Sequence, residues 1–231
     1  MTANRKVITV DGLAASGKST LAKHFAERLH YAHLNTGMLY RAVGLAALLN
    51  SVDRNDESAL FEMMQKARFE FALSPARGTI IKLDGRELGD ELFTPEVSEA
   101  TSLASRHPRV RERLLAIQRQ AFPGTNIVAE GRDVGTVVFP DADLKLFITA
   151  SEEVRRERRL RQMARSRPGE DLNRLKLEIE REIAERDRRD TSRAVAPAVP
   201  AADAIVIDNS ALALTATLES MYDAASKRGL I

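Results

Sequence analysis

The sequence predicts an α/β protein built on a P-loop parallel β-sheet flanked by helices. Short β-branched runs alternate with segments of helical periodicity, the pattern of strands joined by crossover helices. The first run, VITV (7–10), is followed at once by a glycine-rich turn and a helical segment. Two regions break the alternation, and they predict a small antiparallel β insert and an arginine-rich helical lid. At 231 residues, residues 1–231 are expected to form one domain with one core.

Four runs are predicted as strands of the parallel sheet because they are rich in Val and Ile. They are VITV (7–10), NIVA (126–129), LKLFI (144–148) and AIVI (204–207). After the first run, Leu21, Phe25 and Leu29 recur at i, i+4 and i+8, which indicates one apolar face of a helix. Folds of this class bind their ligands at the carboxyl ends of the strands.

The glycine-rich turn DGLAASGKST satisfies the pattern G-x-x-x-x-G-K-[ST] through Gly12, Gly17, Lys18 and Ser19. The glycines let successive backbone N–H groups point inward and form an anion nest at a helix N-terminus. Lys18 then reaches the β- and γ-phosphates, and the Ser19 hydroxyl can ligate Mg²⁺ together with waters. A glycine-rich turn without a ligand is disfavoured by the strand before it and the helix after it. The residues expected to bind ATP are Gly12, Leu13, Ala14, Ala15, Ser16, Gly17, Lys18, Ser19 and Thr20.

Two classes of P-loop protein are disfavoured because the sequence lacks their motifs. It contains no N-K-x-D, the guanine-reading motif of GTPases, and no LSGGQ-like signature of transporter ATPases. The chain is also short for a motor or a helicase. These features favour a small kinase that transfers the γ-phosphoryl group to a small acceptor.

The insert is predicted from two short alternating runs within residues 69–92, joined by SPARG and followed by a DG turn. We expect the whole monophosphate-binding region to span about residues 66–103. The lid is expected at about residues 155–170, inside a charged helical stretch that SRPGED interrupts. The helix after it has one apolar stripe, at Leu172, Leu175, Ile179 and Ile183.

Composition restricts the remaining function classes. The net charge is +2 with no cysteine, so disulfides, thiolate metal sites and a cysteine nucleophile are excluded. No apolar run is long enough to span a membrane, and the N-terminus lacks the pattern of a secretory signal. We therefore expect a cytoplasmic protein with no membrane partner.

The basic residues are concentrated in one part of the chain. Residues 151–193 hold thirteen arginines and one lysine against eleven acidic residues, which indicates a polyanionic ligand. The stretch RRERRLRQMARSR (155–167) leaves an RNA-binding module open as an alternative. However, it contains no aromatic residue for base stacking, and acidic residues flank it. We therefore expect no nucleic-acid partner.

Beyond the P-loop, five motifs are similar to those of the bacterial cytidylate kinases, a family of P-loop nucleoside monophosphate kinases. They are DGLAASGKST, NTGMLYR (35–41), SLASRHPRVRE (102–112), VAEGRDVGTVVFPDAD (128–143) and ERDRRDTSRAVAP (185–197). The resemblance covers nearly the whole chain. It implies transfer of the γ-phosphoryl of ATP to CMP or dCMP, with Mg²⁺, by a monomer. A kinase for another small acceptor, such as UMP or AMP, is the nearest alternative.

The resemblance also implies roles for residues at matching positions. The acceptor phosphate would be held by Arg41, Arg132 and Arg193. The cytosine would be read by Ser102, Arg111 and Asp133, with Thr36 close to the base. The ribose or nearby phosphates would contact Arg186 and Asp190. The triphosphate would be covered by the lid residues Arg158 and Arg159. The catalytic set would then be Lys18, Arg132, Arg158, Arg159 and Arg193.

Hydrogen-bond chemistry agrees with the implied base reading. Cytosine presents an N4 donor beside the N3 and O2 acceptors, which suit a carboxylate and a guanidinium respectively. Uracil presents the acceptor O4 instead, and a buried mismatched pair costs about 1–3 kcal/mol. Each residue also has a simpler interpretation: Arg186 could pair with Glu182 on a solvated helix face, and Asp133 could cap a helix that begins at Val134.

Three departures from the family pattern are visible in the sequence. The P-loop usually reads G-P-S-G-[AS]-G-K, whereas this chain has Leu13, Ala14 and Ala15. Thr36 stands where serine is common and keeps the hydroxyl. Glu130 stands where aspartate is often found, which bears on Mg²⁺ if that carboxylate acts through water.

Overall fold

The structure, a computed structural model, describes residues 5–74, 78–193 and 195–231. Its main sheet has five parallel strands: β1 (Val7–Asp11), β2 (Ala32–Asn35), β6 (Ile127–Gly131), β7 (Leu144–Thr149) and β8 (Ile205–Asp208). Their order is β2-β6-β1-β7-β8. The predicted parallel sheet is thus confirmed, with β1 at its centre.

One strand of the sheet, β2, was missing from the sequence analysis. Its sequence AHLN has one fully buried apolar residue, Leu34, and no β-branched residue. The strand forms because it pairs with β6, in the register Leu34 to Ala129. Local propensity carries no signal for such a strand, since tertiary pairing decides it.

Helices cover both faces of the sheet. On one face, Ile8 and Val10 of β1 pack with α1 (Lys18–Leu29) and α8 (Leu214–Lys227). On the other face, apolar residues of β1, β2 and β6 form a second cluster. Beside it lies the largest core cluster, which is built from α2 (Thr36–Leu49), α3 (Glu57–Lys66), α4 (Pro95–Ala104) and α5 (Pro108–Arg119). Burial on both faces explains the near-continuous apolar runs of β1, β6 and β7.

The insert is a three-stranded antiparallel sheet, as the sequence predicts. Its strands are β3 (Phe69–Ser74), β4 (Gly78–Leu83) and β5 (Arg86–Leu88). Asp84 and Gly85 join β4 to β5 with φ values of 53° and 83°, as a type I′ hairpin turn requires. Most of the SPARG connection lies outside the described residues. A 3₁₀ turn at Asp90–Phe93 then leads into α4.

The arginine-rich stretch forms two packed helices, α6 (Glu152–Ser166) and α7 (Leu172–Thr191). Leu175, Ile179 and Ile183 of the predicted stripe are buried against Met163 of α6. The prediction for Leu172 is wrong: this first residue of α7 is 55% exposed and lies outside the cluster that buries the rest of the stripe. Among the described residues, no helix is long and apolar enough to cross a bilayer.

Candidate active site

The P-loop connects β1 to α1 with the geometry of an anion nest. A Cβ atom on Gly12 would lie 2.2 Å from the backbone oxygen of Ile148, so only glycine fits beside β7. Gly17 has φ 87° and precedes the first turn of α1, where no side chain caps the free N–H groups. Those N–H groups are therefore available to an anion.

Ala15 occupies a left-handed backbone conformation, with φ 56°. This position is a glycine in the usual P-loop pattern, and the structure keeps the backbone shape despite the alanine. A left-handed conformation costs an L-residue with a Cβ roughly 1–2 kcal/mol. The departure at this position therefore stores strain in the loop without removing its N–H groups.

Replacing Ala15 by glycine should stabilise the protein. Relief of the left-handed strain outweighs the extra entropy of an unfolded glycine, so we expect a gain of about 0.5–1 kcal/mol in the free energy of unfolding. Urea denaturation measures it. The matched control is Ala14→Gly, since Ala14 has no positive φ and should lose stability by a similar amount. A loss in both variants would contradict strain at Ala15.

The P-loop opens onto a cleft of about 950 Å³ that lies at the carboxyl ends of the strands. Lys18 lines it but is only 7% exposed, and its Nζ donates to the Leu13 carbonyl at 3.3 Å. Most residues predicted for the site line this one cleft: Ala14, Ala15, Gly17, Lys18, Ser19, Thr20, Thr36, Arg41, Ser102, Arg111, Arg132, Asp133, Arg158, Arg159, Arg186, Asp190 and Arg193. Gly12, Leu13 and Ser16 form the loop behind this lining.

The three arginines predicted to hold the acceptor phosphate come from three different elements. Arg132 follows β6, and its Nε donates to Asp190 of α7 at 2.9 Å. Arg193 lies beyond α7, and one of its buried guanidinium nitrogens has no hydrogen-bond partner. Arg41 on α2 donates to the Leu92 carbonyl at 2.8 Å. Asp190 therefore orients Arg132 within the cleft, and its predicted contact with the ribose stays a prediction.

Arg111 and Asp133 form a buried ion pair that joins α5 to the segment after β6. A π-helical turn at Val134–Val138 follows Asp133, but the Asp133 side chain does not cap it. The capping interpretation of Asp133 is therefore excluded. Arg109 and Arg113, on the same helix as Arg111, are exposed. The buried carboxylate and guanidinium thus face the cleft side by side.

Ser102 and Thr36 have hydrogen-bond partners that the sequence analysis did not anticipate. The Ser102 hydroxyl accepts from Arg189 of α7 at 3.0 Å, which links α4 to α7 across the cleft. The Thr36 hydroxyl donates to the Glu130 carbonyl at 2.7 Å. Both hydroxyls are thus held at the cleft wall, and their predicted contact with a base stays a prediction.

Asp11, at the end of β1, connects the P-loop to the turn that follows Asp133. Its carboxylate accepts from the backbone N–H groups of Val134 at 2.9 Å and Gly135 at 2.7 Å. Burial raises the pKa of this carboxyl to about 6 against these hydrogen bonds, which lower it. The residue next to the P-loop therefore fixes the turn that follows Asp133.

The two predicted lid arginines, Arg158 and Arg159, have hydrogen-bond or ion-pair partners within the protein. Arg158 donates to the Ser16 carbonyl at 3.1 Å and to Asn209 at 3.0 Å. Arg159 pairs with Glu182 of α7 at 2.8 Å. Asn209 also donates to the Ser16 carbonyl, at 2.9 Å. It was missed by the sequence analysis, although a polar residue just after the last strand is a usable signal in this fold class.

Most arginines of the stretch 155–167 are neutralised by acidic residues. The ion pairs are Arg155–Asp187, Arg156–Glu152, Arg159–Glu182, Arg161–Glu157 and Arg167–Glu178. Exposed cations that are already paired attract an external polyanion less strongly. The arrangement therefore disfavours the RNA-binding alternative.

Ser19, in the first turn of α1, and Glu130, on β6, form a hydrogen-bonded pair of oxygen groups. The Ser19 hydroxyl donates to Oε2 of Glu130 at 2.6 Å, and the Glu130 side chain is buried. The other carboxylate oxygen, Oε1, is buried without an aligned hydrogen bond. Among the described residues, no three carboxylate or histidine side chains come together as a complete metal cage. Mg²⁺ in kinases takes one or two protein oxygens plus phosphates, so this pair fits it.

The cleft concentrates positive charge that lacks enough counterions. Burial and the neighbouring Arg132 lower the pKa of Lys18 from its ordinary value to about 7. Burial and nearby arginines lower the pKa values of Arg41 and Arg186 to about 10. No hydrogen bond or ion pair is found for Arg186 among the described residues, so its predicted pairing with Glu182 does not form; Glu182 pairs with Arg159. Such a site is stabilised by a polyanion.

Comparisons of this chain with family models and with curated proteins identify the same family. The family model described as cytidylate kinase matches residues 8–227. Curated cytidylate kinases from Salmonella paratyphi B, Salmonella newport and Salmonella heidelberg are each 41% identical to this chain over 228 residues. Each alignment covers 99% of this chain and 98% of the relative.

Proposed function

Because this chain belongs to the cytidylate kinase family, we propose a residue-level account of how its cleft phosphorylates CMP and dCMP. The reaction is ATP + (d)CMP → ADP + (d)CDP. The single observation that carries the account is the buried Arg111–Asp133 pair, which faces the same cleft as the P-loop lysine. One end of the cleft then takes the donor and the other takes the acceptor.

The donor half of the site consists of the P-loop and the start of α1. Its backbone N–H groups and Lys18 bind the β- and γ-phosphates of ATP, supported by the helix N-terminus. Ser19 would ligate Mg²⁺, and Glu130 would support the ion through water; the Ser19 hydroxyl lies 2.6 Å from the Glu130 carboxylate. At this pair of side chains, Mg²⁺ would supply neutralisation of the phosphate charge.

The acceptor half consists of three arginines around the CMP phosphate. Arg41, Arg132 and Arg193 hold it in line with the γ-phosphoryl group, while Asp190 orients Arg132. Arg186 contacts the ribose or the phosphates nearby. Asp133 accepts from the cytosine N4 amino group and Arg111 donates to N3 or O2, with Ser102 and Thr36 beside the base.

Alignment and charge neutralisation supply most of the catalysis, because phosphoryl transfer needs little covalent chemistry from the protein. The acceptor phosphate is already an anion at neutral pH, so no general base is required. Arg158 and Arg159 exchange their present partners for the triphosphate when the lid closes, which excludes water from the reaction. We assign residues of about 155–170 to the lid and about 66–103 to the acceptor region. A monomer in the cytoplasm is the simplest setting for this reaction.

The chemical identity of the products tests this account. The protein is incubated with Mg-ATP and CMP, and the phosphorus species are followed by ³¹P NMR. We expect CDP and ADP to appear in equal amounts, without inorganic phosphate. Release of inorganic phosphate with CMP unchanged would identify an ATPase instead and overturn the account.

A further inference from the structure

His33 contacts the carboxylate that accepts from Ser19. Its Nε2 lies 3.3 Å from Oε1 of Glu130, and the two side chains are 19% and 2% exposed. Both atoms are buried, and neither has a hydrogen bond to any other described group. The other oxygen, Oε2, accepts from the Ser19 hydroxyl at 2.6 Å. Glu130 therefore lies between His33 and Ser19, with one oxygen toward each.

The sheet register places His33 and Glu130 on the same face. On the neighbouring parallel strands β2 and β6, His33 lies opposite Val128. Glu130 follows Val128 by two residues, and side chains alternate with period 2, so the two side chains are diagonal neighbours. The contact is thus built into the sheet rather than formed by a flexible loop.

A glutamate at this position needs restraint more than an aspartate would. It has one more rotatable bond, and fixing an additional side-chain rotamer costs conformational entropy. Burial raises the pKa of Glu130, but His33, Lys18 and Ser19 outweigh burial and hold the pKa below its usual range. The buried Oε1 of Glu130 thus has the His33 imidazole as its neighbour, at 3.3 Å.

We propose that His33 is a positioning residue for the Mg²⁺ site: it holds Glu130 in the rotamer that presents Oε2 to Ser19. This inference rests on the proposed P-loop nucleotide site, whose metal ligand is Ser19. Partners of metal-site carboxylates typically change metal affinity by 10–100-fold when they are removed. His33 is not among the residues that line the cleft, so its effect should be confined to the metal-dependent part of binding.

The test measures ADP binding by isothermal titration calorimetry over a series of MgCl₂ concentrations and in EDTA. For His33→Leu, we expect the Mg²⁺ concentration that gives half of the metal-dependent gain in ADP affinity to rise about tenfold. Affinity in EDTA should stay unchanged. His33→Gln keeps an N–H donor at a similar reach and should remain within about threefold of wild type.

A double-mutant cycle with Glu130→Gln separates positioning from a general structural effect. In that background, His33→Leu should change the Mg²⁺ dependence by less than about twofold. The matched control is His24→Leu, on the exposed face of α1, which should have no effect. Equal losses in His33→Leu and His33→Gln, a loss that persists in EDTA, or no loss at all would each overturn the proposal.

Failure of the inference is distinguishable from failure of the proposed function. The calorimetry uses ADP and Mg²⁺ without any acceptor, so it does not depend on which monophosphate is phosphorylated. If wild type fails to phosphorylate CMP but the His33 effect on Mg²⁺ is found, the acceptor assignment falls and the positioning role stands. If CMP is phosphorylated and His33→Leu leaves the Mg²⁺ dependence unchanged, only the positioning role falls.

Discussion

Replacing Lys18 by alanine is expected to lower kcat/KM for phosphoryl transfer by a factor of about 10²–10³ or more, with the fold intact. Lys18 is the P-loop cation expected at the β- and γ-phosphates, and its contribution grows as charge develops on the transferred group. Burial and Arg132 lower its pKa to about 7, so the site is unfavourable for an ammonium group without a phosphate. The alanine variant should therefore be no less stable than wild type, which urea denaturation checks.

The control for Lys18 lies on the same helix. Lys23 is exposed on α1, and Lys23→Ala removes an identical charge from the solvent face. Its turnover should equal that of wild type. Near-normal turnover of Lys18→Ala would refute the P-loop assignment, whereas equal losses in both variants would indicate a nonspecific effect of charge.

Replacing Asp133 by asparagine should lower kcat/KM for CMP by about 10–100-fold, because a charged acceptor for the N4 amino group is lost. UMP should lose less, since the amide NH₂ group can donate to O4 of uracil. The ratio of kcat/KM for CMP to that for UMP should therefore fall, by at most about 10–100-fold. The buried Arg111 would then face a neutral amide, so we also expect the free energy of unfolding to fall by about 1–3 kcal/mol.

The matched control for this variant is Asp141→Asn, an identical change at an exposed position near the same segment. It should alter neither the ratio nor the stability. An Asp133→Asn enzyme with unchanged preference for CMP over UMP would remove Asp133 from base recognition. A proportional loss for both acceptors would assign Asp133 a structural role instead.

The main sheet was largely predictable because its strands are locally encoded. The apolar runs at β1, β6 and β7 are almost entirely buried. The edge strand β8 buries only Ile207. All four runs are rich in Val, Ile or Leu, so their composition marks them as strands. β2 was not predictable in this way, because AHLN acquires its strand conformation from pairing with β6. The exposed Leu172 shows the same limit: periodicity identifies a helix face, but not which of its residues a neighbouring element covers.

The site residues also differ in how far the sequence predicts them. The P-loop residues are contiguous and form a motif whose phosphate-binding chemistry is known, so the sequence alone indicates them. Arg111 and Asp133 are 22 positions apart, and family resemblance alone drew attention to them. Glu130 is 111 positions from Ser19, with which it forms a hydrogen bond. Glu130 contacts His33 because their strands, β6 and β2, are neighbours in the sheet. Nothing in local sequence connects such residues, and only the register of β2 with β6 reveals them.

The function proposed for the cleft is transfer of the γ-phosphoryl of ATP to a cytosine nucleotide. The most direct measurement is kcat/KM with Mg-ATP for CMP, dCMP, UMP and AMP in parallel, followed by ADP release. The account predicts efficient turnover of CMP and dCMP, with UMP weaker by one to two orders of magnitude. Equal or higher turnover of UMP or AMP would contradict the roles of Arg111 and Asp133, and no turnover with any acceptor would contradict the kinase itself.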